Sequence, residues 1–203
     1  MKSKAVIVPH IGGPEVLELV EIDVPAPGPG EVQIRQVAIG LNYIDTYYRS
    51  GLYPAPHGFP YVAGEEGAGT VIAVGPGVTG FSEGDRVAYP ASSGAYAEIR
   101  NVATANLAKV PDDISLETAA AMMMKGMTAE YLLRQTYAVG PETTLLFHAA
   151  AGGVGLIAGQ WAKHLGATVI GTAGGKDKVA LALAHGYDHV IDYRAGDFVP
   201  AVK

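Results

Sequence analysis

Positions 150–155 read A-x-G-x-x-G, from Ala150 through Gly152 to Gly155, in a run AAAGGVG that follows the apolar stretch Thr143–His148. Between a strand and a helix, that spacing suits a dinucleotide. Gly152 lets the backbone approach a pyrophosphate, Gly155 lets the helix pack closely on the strand, and the amides and positive dipole at the helix start meet the phosphates. Glycine-rich turns also serve packing alone; the strand before, the helix after and a second strand on schedule favour the nucleotide. An NAD site carries an acid about 20 residues on, at the end of the second strand, for the ribose 2′-hydroxyl. Here that region reads GTAGGKDK, Gly171 to Lys178, with no acid at the strand end and Asp177 between Lys176 and Lys178 in the next helix. Small residues followed by lysines leave room and charge for a 2′-phosphate, which points to NADPH; the same lysines also suit a solvated helix face.

Other chemistry is limited. The chain has no cysteine, which removes disulfides, thiolate nucleophiles, cysteine-based zinc sites and iron–sulfur clusters together. His10, His57, His164, His185 and His189 show no metal-ligand spacing, and His148, ending a strand beside the glycine-rich turn, reads as packing rather than a cofactor contact. Glu65 and Glu66 are adjacent, so on a strand they point to opposite faces and cannot act as a hydrolytic pair; they read as structural. Tyr43, Tyr47, Tyr48 and Tyr53 suit ordinary surface or interdomain packing, and Met122, Met123, Met124 and Met127 suit a helix that fills core gaps. No G-x-S-x-G, P-loop or H-E-x-x-H occurs.

Two stretches of different grammar must position these residues. From residue 1 to about 110, short alternating segments are punctuated by GGP, PAPGPG, VGPG and EGD, the pattern of antiparallel strands in a barrel or sandwich. The expected strands are Lys4–Val8, Val16–Ile22, Glu31–Ile39, Gly69–Val74, Arg86–Tyr89 and Tyr96–Arg100. Beyond residue 113 come helix-forming runs with Ser115 and Thr128 as expected N-caps, then strand Thr143–His148, helix Val154–Leu165, strand Ala167–Thr172, helix Lys176–His185 closed by Gly186, and strand His189–Asp192. That β-α-β-α-β order argues for a parallel sheet, roughly half built when the chain stops at Lys203. The fold class expected is α/β with a β-rich N-terminal part.

At 203 residues, 49% hydrophobic and 17% charged, the chain can bury a core, and a net charge of -6 gives no footprint for nucleic acid or an anionic membrane. With no signal-peptide core and no stretch near the ~18 apolar residues of a membrane span, it is expected to be cytoplasmic.

The segments GGPEVLE at 12–18, GLNYIDTYYRSGLYP at 40–54, GDRVAY at 84–89 and LLFHAAAGGVGLIAGQWAK at 145–163 resemble the zinc-free, zeta-crystallin-like quinone oxidoreductases of the medium-chain dehydrogenase/reductase superfamily. The resemblance runs over essentially the whole chain. It implies a GroES-like catalytic domain at 1–125, without its C-terminal return segment, followed at 126–203 by the first half of a Rossmann domain, with NADPH in the cleft between them. It implies that Asn42, Tyr43, Asp45, Thr46 and Tyr47 border the nicotinamide and substrate, with Asn42, Asp45 and Tyr47 as the catalytic set. Tyr131, Gly152, Gly153 and Val154 then neighbour the pyrophosphate and nicotinamide, and Gly174, Lys178 and Tyr193 form the 2′-phosphate pocket. In the zinc alcohol dehydrogenases a histidine stands where this chain has Glu65; with that residue and every cysteine gone, Lewis-acid activation is not expected. The implied reaction is NADPH-dependent quinone reduction, with a homodimer for the full-length protein. The alternatives are an enone or enal reductase, or an inactive truncated nucleotide-binding fragment.

Overall fold

Alternation of apolar and polar residues, broken by glycine and proline, gives the N-terminal half its strands. The computed structural model describes residues 1–90 and 93–202. Strands β1 (Lys2–Val8), β2 (Glu18–Asp23) and β3 (Glu31–Gly40) lead into helix α1 (Tyr43–Ser50); β4 (Tyr61–Val62), β5 (Glu66–Val74), β6 (Arg86–Tyr89), β7 (Ile99–Ala103) and β8 (Ala108–Lys109) follow. They form two antiparallel sheets, ordered β2-β1-β4 and β7-β3-β5-β6-β8. Val32, Ile34, Val71, Val87, Tyr89 and Val102 supply the inward face of the larger sheet and are essentially inaccessible to solvent. Burial of that kind contributes on the order of 1.5–3 kcal/mol per large apolar side chain.

The second half begins with helix α2 (Leu116–Glu130), which passes directly into a π-helical segment at Tyr131–Thr136. Then come β9 (Thr144–Phe147), α3 (Gly153–His164), β10 (Thr168–Ala173), α4 (Lys176–Leu183), β11 (His189–Asp192) and the short α5 (Val199–Val202). The sheet is parallel, ordered β11-β10-β9, which is the strand order of the first half of a doubly wound nucleotide fold. Its core joins Ala150, Ala158, Ala162, Val169, Ala182 and Tyr187. The chain divides into two compact units, Met1–Met124 and Lys125–Lys203. Among the described residues no helix is long and apolar enough to cross a membrane.

Several expectations are corrected. Thr128 caps no helix, because α2 runs straight through it. Gly126 costs about 1 kcal/mol in a helix interior, a cost outweighed by burial of Ala119, Ala120 and Ala129 on the same helix. Ser115 does cap, its Oγ accepting the Thr118 N–H at 3.0 Å. The second strand starts at Glu18 rather than Val16, because Pro14–Val16 form a 3-10 turn. The last of the expected strands runs over Ile99–Ala103, with only an isolated bridge from Ala97 to Ala5 before it. Helix α1 was absent from the expected elements altogether.

Candidate functional site

In the first unit the candidate residues sit on α1, whose start is fixed by the segment itself. Asn42 is the N-cap in extended conformation, and its backbone N–H donates to Asp45 Oδ2 at 2.9 Å, one arm of a capping box. Gly51 closes the helix in the left-handed region at φ 76°. Around this turn a network ties α1 to the sheet. The Asn42 amide donates to Glu66 Oε1 at 2.8 Å, Glu66 Oε2 accepts the Met124 backbone N–H at 2.7 Å, and the Tyr96 hydroxyl donates to Asp45 Oδ2 at 2.8 Å. Glu66 is wholly buried, and Gly40 has no room for a Cβ, which would lie 2.1 Å from Glu66 Oε1.

Asn42 and Asp45 are therefore held by structural partners. Tyr47, partly buried, makes an edge contact with Tyr53 at 5.4 Å between ring centres and a tilted one with Tyr43 at 6.5 Å. Tyr43 is the most open, at 82% exposure. The Thr46 hydroxyl is turned back to donate to the Tyr43 carbonyl at 2.6 Å.

Glu65 lies on the other side of the β5 start and is nearly buried. Loss of hydration raises its carboxyl pKa, and the nearby charge of Asp45 adds to that, while a hydrogen bond with Ser93 and the Arg100 cation oppose it. Because the folded value exceeds the unfolded one, the native state holds the proton more tightly, and stability is lost as pH rises from about 4.5 through the folded value. Glu65→Gln cannot ionise, so its stability relative to wild type should improve as pH rises from about 4.5 to about 7. Urea denaturation at both pH values checks this; a difference that does not change with pH contradicts it.

In the second unit the candidate residues gather at the carboxyl ends of the three strands. Past β9 the backbone turns through Ala149 at φ 54°, a non-glycine residue in the left-handed region, which stores about 1–2 kcal/mol of strain. Gly152 N–H donates to Ala149 O at 2.8 Å and then serves as N-cap of α3, contributing no side chain to its first-turn amides. A Cβ on Gly155 would meet Ala149 O at 2.5 Å and Ala150 O at 2.6 Å, so helix and turn touch through backbone alone. The buried Tyr187 hydroxyl donates to Gly155 O at 2.8 Å from the opposite side. His148 pairs its Nδ1 with Thr172 Oγ1 at 2.9 Å and sets its ring edge against Phe198. Tyr131, 46% exposed, opens the π-helical segment, a geometry that often marks functional positions.

At the end of β10, Gly174 is buried beneath Tyr193, whose hydroxyl lies 2.5 Å from where a Gly174 Cβ would be. Gly175, at φ 97°, caps α4, and Lys178 is exposed in the first turn of that helix. Two residues at this corner were not singled out from the sequence. Asp192 Oδ1 accepts the backbone N–H groups of Gly175 at 2.9 Å and Arg194 at 3.0 Å, which holds its carboxyl pKa down. Arg194 brings Nη1 to 3.6 Å from the Cβ position of Gly175. The available signal was position: both residues flank Tyr193 at the carboxyl end of a parallel strand, where ligands of such sheets bind.

Comparison with known proteins places this arrangement. Residues 28–141 match the alcohol dehydrogenase GroES-like domain family, and residues 153–203 match the zinc-binding dehydrogenase family. The quinone oxidoreductase of Pseudomonas aeruginosa is 57% identical over 183 residues, covering 90% of this chain and 56% of that protein. The 2-haloacrylate reductase of a Burkholderia species is 44% identical over 207 residues, covering 98% of this chain and 61% of that protein. The solved structure of Escherichia coli quinone oxidoreductase complexed with NADPH superposes with a TM-score of 0.95 at 49% identity, covering 98% of this chain and 61% of that one. The chain thus spans 56% and 61% of the lengths of these two curated relatives.

Proposed function

Because the chain belongs to the alcohol dehydrogenase GroES-like family, within the medium-chain dehydrogenase/reductases, we propose that it is part of an enzyme reducing quinones with NADPH and without a metal. The observation that carries the cofactor is the pairing of two features at the carboxyl edge of one parallel sheet: the turn at Gly152 and the corner of Gly174, Lys178 and Tyr193. The substrate class is carried by the quinone oxidoreductase identity of 57%.

The residues present fit NADPH. The start of α3 offers amide donors at Gly153 and Val154 with only glycine at Gly152 to obstruct a pyrophosphate, and the acid beside the end of β10, Asp192, turns Oδ1 to the backbone amides of Gly175 and Arg194. When bound, NADPH supplies the hydride. Gly152, Gly153 and Val154 hold the pyrophosphate, Tyr131 borders the nicotinamide side, and Gly174, Lys178 and Tyr193 hold the 2′-phosphate. Asn42, Tyr43, Thr46 and Tyr47 border the nicotinamide and substrate. The Tyr47 hydroxyl donates a hydrogen bond to the quinone oxygen that takes on charge. Asn42 and Asp45 are positioning residues, keeping α1 in place through Glu66 and Tyr96.

Zinc does not fit this donor set. The chain has no cysteine, the Asn42 amide is committed to Glu66, and among the described residues no three His, Asp or Glu side chains are placed to hold a metal ion. A substrate that accepts hydride readily, as a quinone does, makes Lewis-acid activation unnecessary. Steady-state rates of the chelator-dialysed protein with NADPH and either 1,4-benzoquinone or 2-chloroacrylate test the reading. The expected result is a larger kcat/KM for the quinone; faster turnover of the haloacrylate overturns it in favour of alkene reduction.

A further inference from the structure

The corner assigned to the 2′-phosphate contains a second cation besides Lys178, brought there by a different part of the chain. Arg194 follows β11, and its backbone is pinned: Asp192 Oδ1 accepts the Arg194 N–H at 3.0 Å and the Gly175 N–H at 2.9 Å, so one carboxylate ties the turn after β11 to the start of α4. The side chain then returns over that start, with Nη1 3.6 Å from the Cβ position of Gly175. On the neighbouring residues, the Tyr193 hydroxyl reaches 2.5 Å from the Cβ position of Gly174. A side chain at Gly174 would collide with the tyrosine, and Gly175 takes a φ of 97° that suits glycine, with the guanidinium in ordinary contact distance of its Cβ position.

Charge at this corner suits an anion. Gly175 is the N-cap of α4, Lys176 and Lys178 stand in the first turn, and Arg194 adds a third positive group where the helix dipole is already positive. Asp177 and Asp192 offset part of this, and Asp192 gives one oxygen to two backbone amides. An anion with several oxygens offsets the remainder. A guanidinium meets such a group through two parallel N–H donors, whereas an ammonium acts as a point charge, so the two cations are not redundant.

We propose that Arg194 is a specificity-determining residue that binds the cofactor's 2′-phosphate together with Lys178 and Tyr193. This rests on the reading of the protein as NADPH-dependent. Arg194 is exposed, so Arg194→Gln and Arg194→Lys should fold as wild type does. Titration of the purified protein with NADPH and with NADH, followed by nicotinamide fluorescence, should give a Kd for NADPH raised about tenfold in Arg194→Gln. The NADH value should move by less than about twofold, and Arg194→Lys should fall between wild type and Arg194→Gln. An unchanged NADPH affinity in Arg194→Gln, or equal weakening of both cofactors, overturns the proposal. Wild-type protein that binds NADPH no better than NADH overturns the underlying reading and this inference with it. A preference for NADPH that is undiminished in Arg194→Gln and abolished by Lys178→Glu overturns the inference alone.

Discussion

Replacing Lys178 by glutamate is expected to raise the Kd for NADPH roughly 100-fold and to leave that for NADH within about threefold. The ammonium is proposed to meet the 2′-phosphate, a charge-assisted contact worth about 1.5–3 kcal/mol, and glutamate replaces that attraction with repulsion. NADH has a hydroxyl at the same position and loses little. Lys178 is exposed in the first turn of α4, so the exchange does not disturb a core, and a carboxylate near the helix start is favourable to the helix itself. Equal changes for the two cofactors contradict the assignment of this corner to the phosphate.

Gly155→Ala is the second exchange with a large expected effect, this time on the fold. Its Cβ would lie 2.5 Å from Ala149 O, 2.6 Å from Ala150 O and 2.8 Å from Ala150 C. All three are backbone atoms of the turn that carries the glycines proposed to hold the pyrophosphate, and Gly155 O accepts the Tyr187 hydroxyl. Overpacking of this kind costs about 1–3 kcal/mol, which for a chain of this size lowers Tm by about 2–4 °C per kcal/mol. Any relief must come from moving Ala149 and Ala150, and Gly152 is bonded to Ala149 O, so NADPH affinity should fall as well. Gly126→Ala is the control: its Cβ meets nothing within 4 Å, and removing a helical glycine should be neutral or stabilise by about 0.5–1 kcal/mol. Melting curves and NADPH titration of both variants check this; a Gly155→Ala protein that melts and binds like wild type contradicts it.

How far the sequence revealed these features follows from the range of the forces involved. The β-α-β-α-β run was legible because each element carries its own period and its own stop, such as Gly186 at φ 93° after α4. Strand β11 was expected at His189–Asp192, the residues it occupies. Helix α1 was not, because YIDTYYRS is rich in β-branched and aromatic residues that favour strands. Its cap signals were present, Asn42 followed three residues on by Asp45 and closed by Gly51, but they are short and were outweighed by composition. Thr128 has the opposite source: Gly126 and a threonine two residues on have the look of one helix ending and another starting, while packing of the alanines along α2 carries a single helix past both.

Long-range polar contacts were beyond the reach of local pattern. Glu66 joins Asn42, 24 positions away, to Met124, 58 positions away, and nothing in GEEG distinguishes it from Glu65. The corner after β10 was only half visible, Lys178 and Tyr193 through the resemblance and their place after strands, Arg194 not at all. Its approach to Gly175 depends on the turn that Asp192 builds from two separate segments.

The most direct test of the account is the pair of dissociation constants of the wild-type protein for NADPH and NADH, measured side by side at one ionic strength. With Lys178, Tyr193 and Arg194 around a 2′-phosphate, NADPH should bind at least about tenfold more tightly. Equal affinities, or tighter binding of NADH, would contradict it.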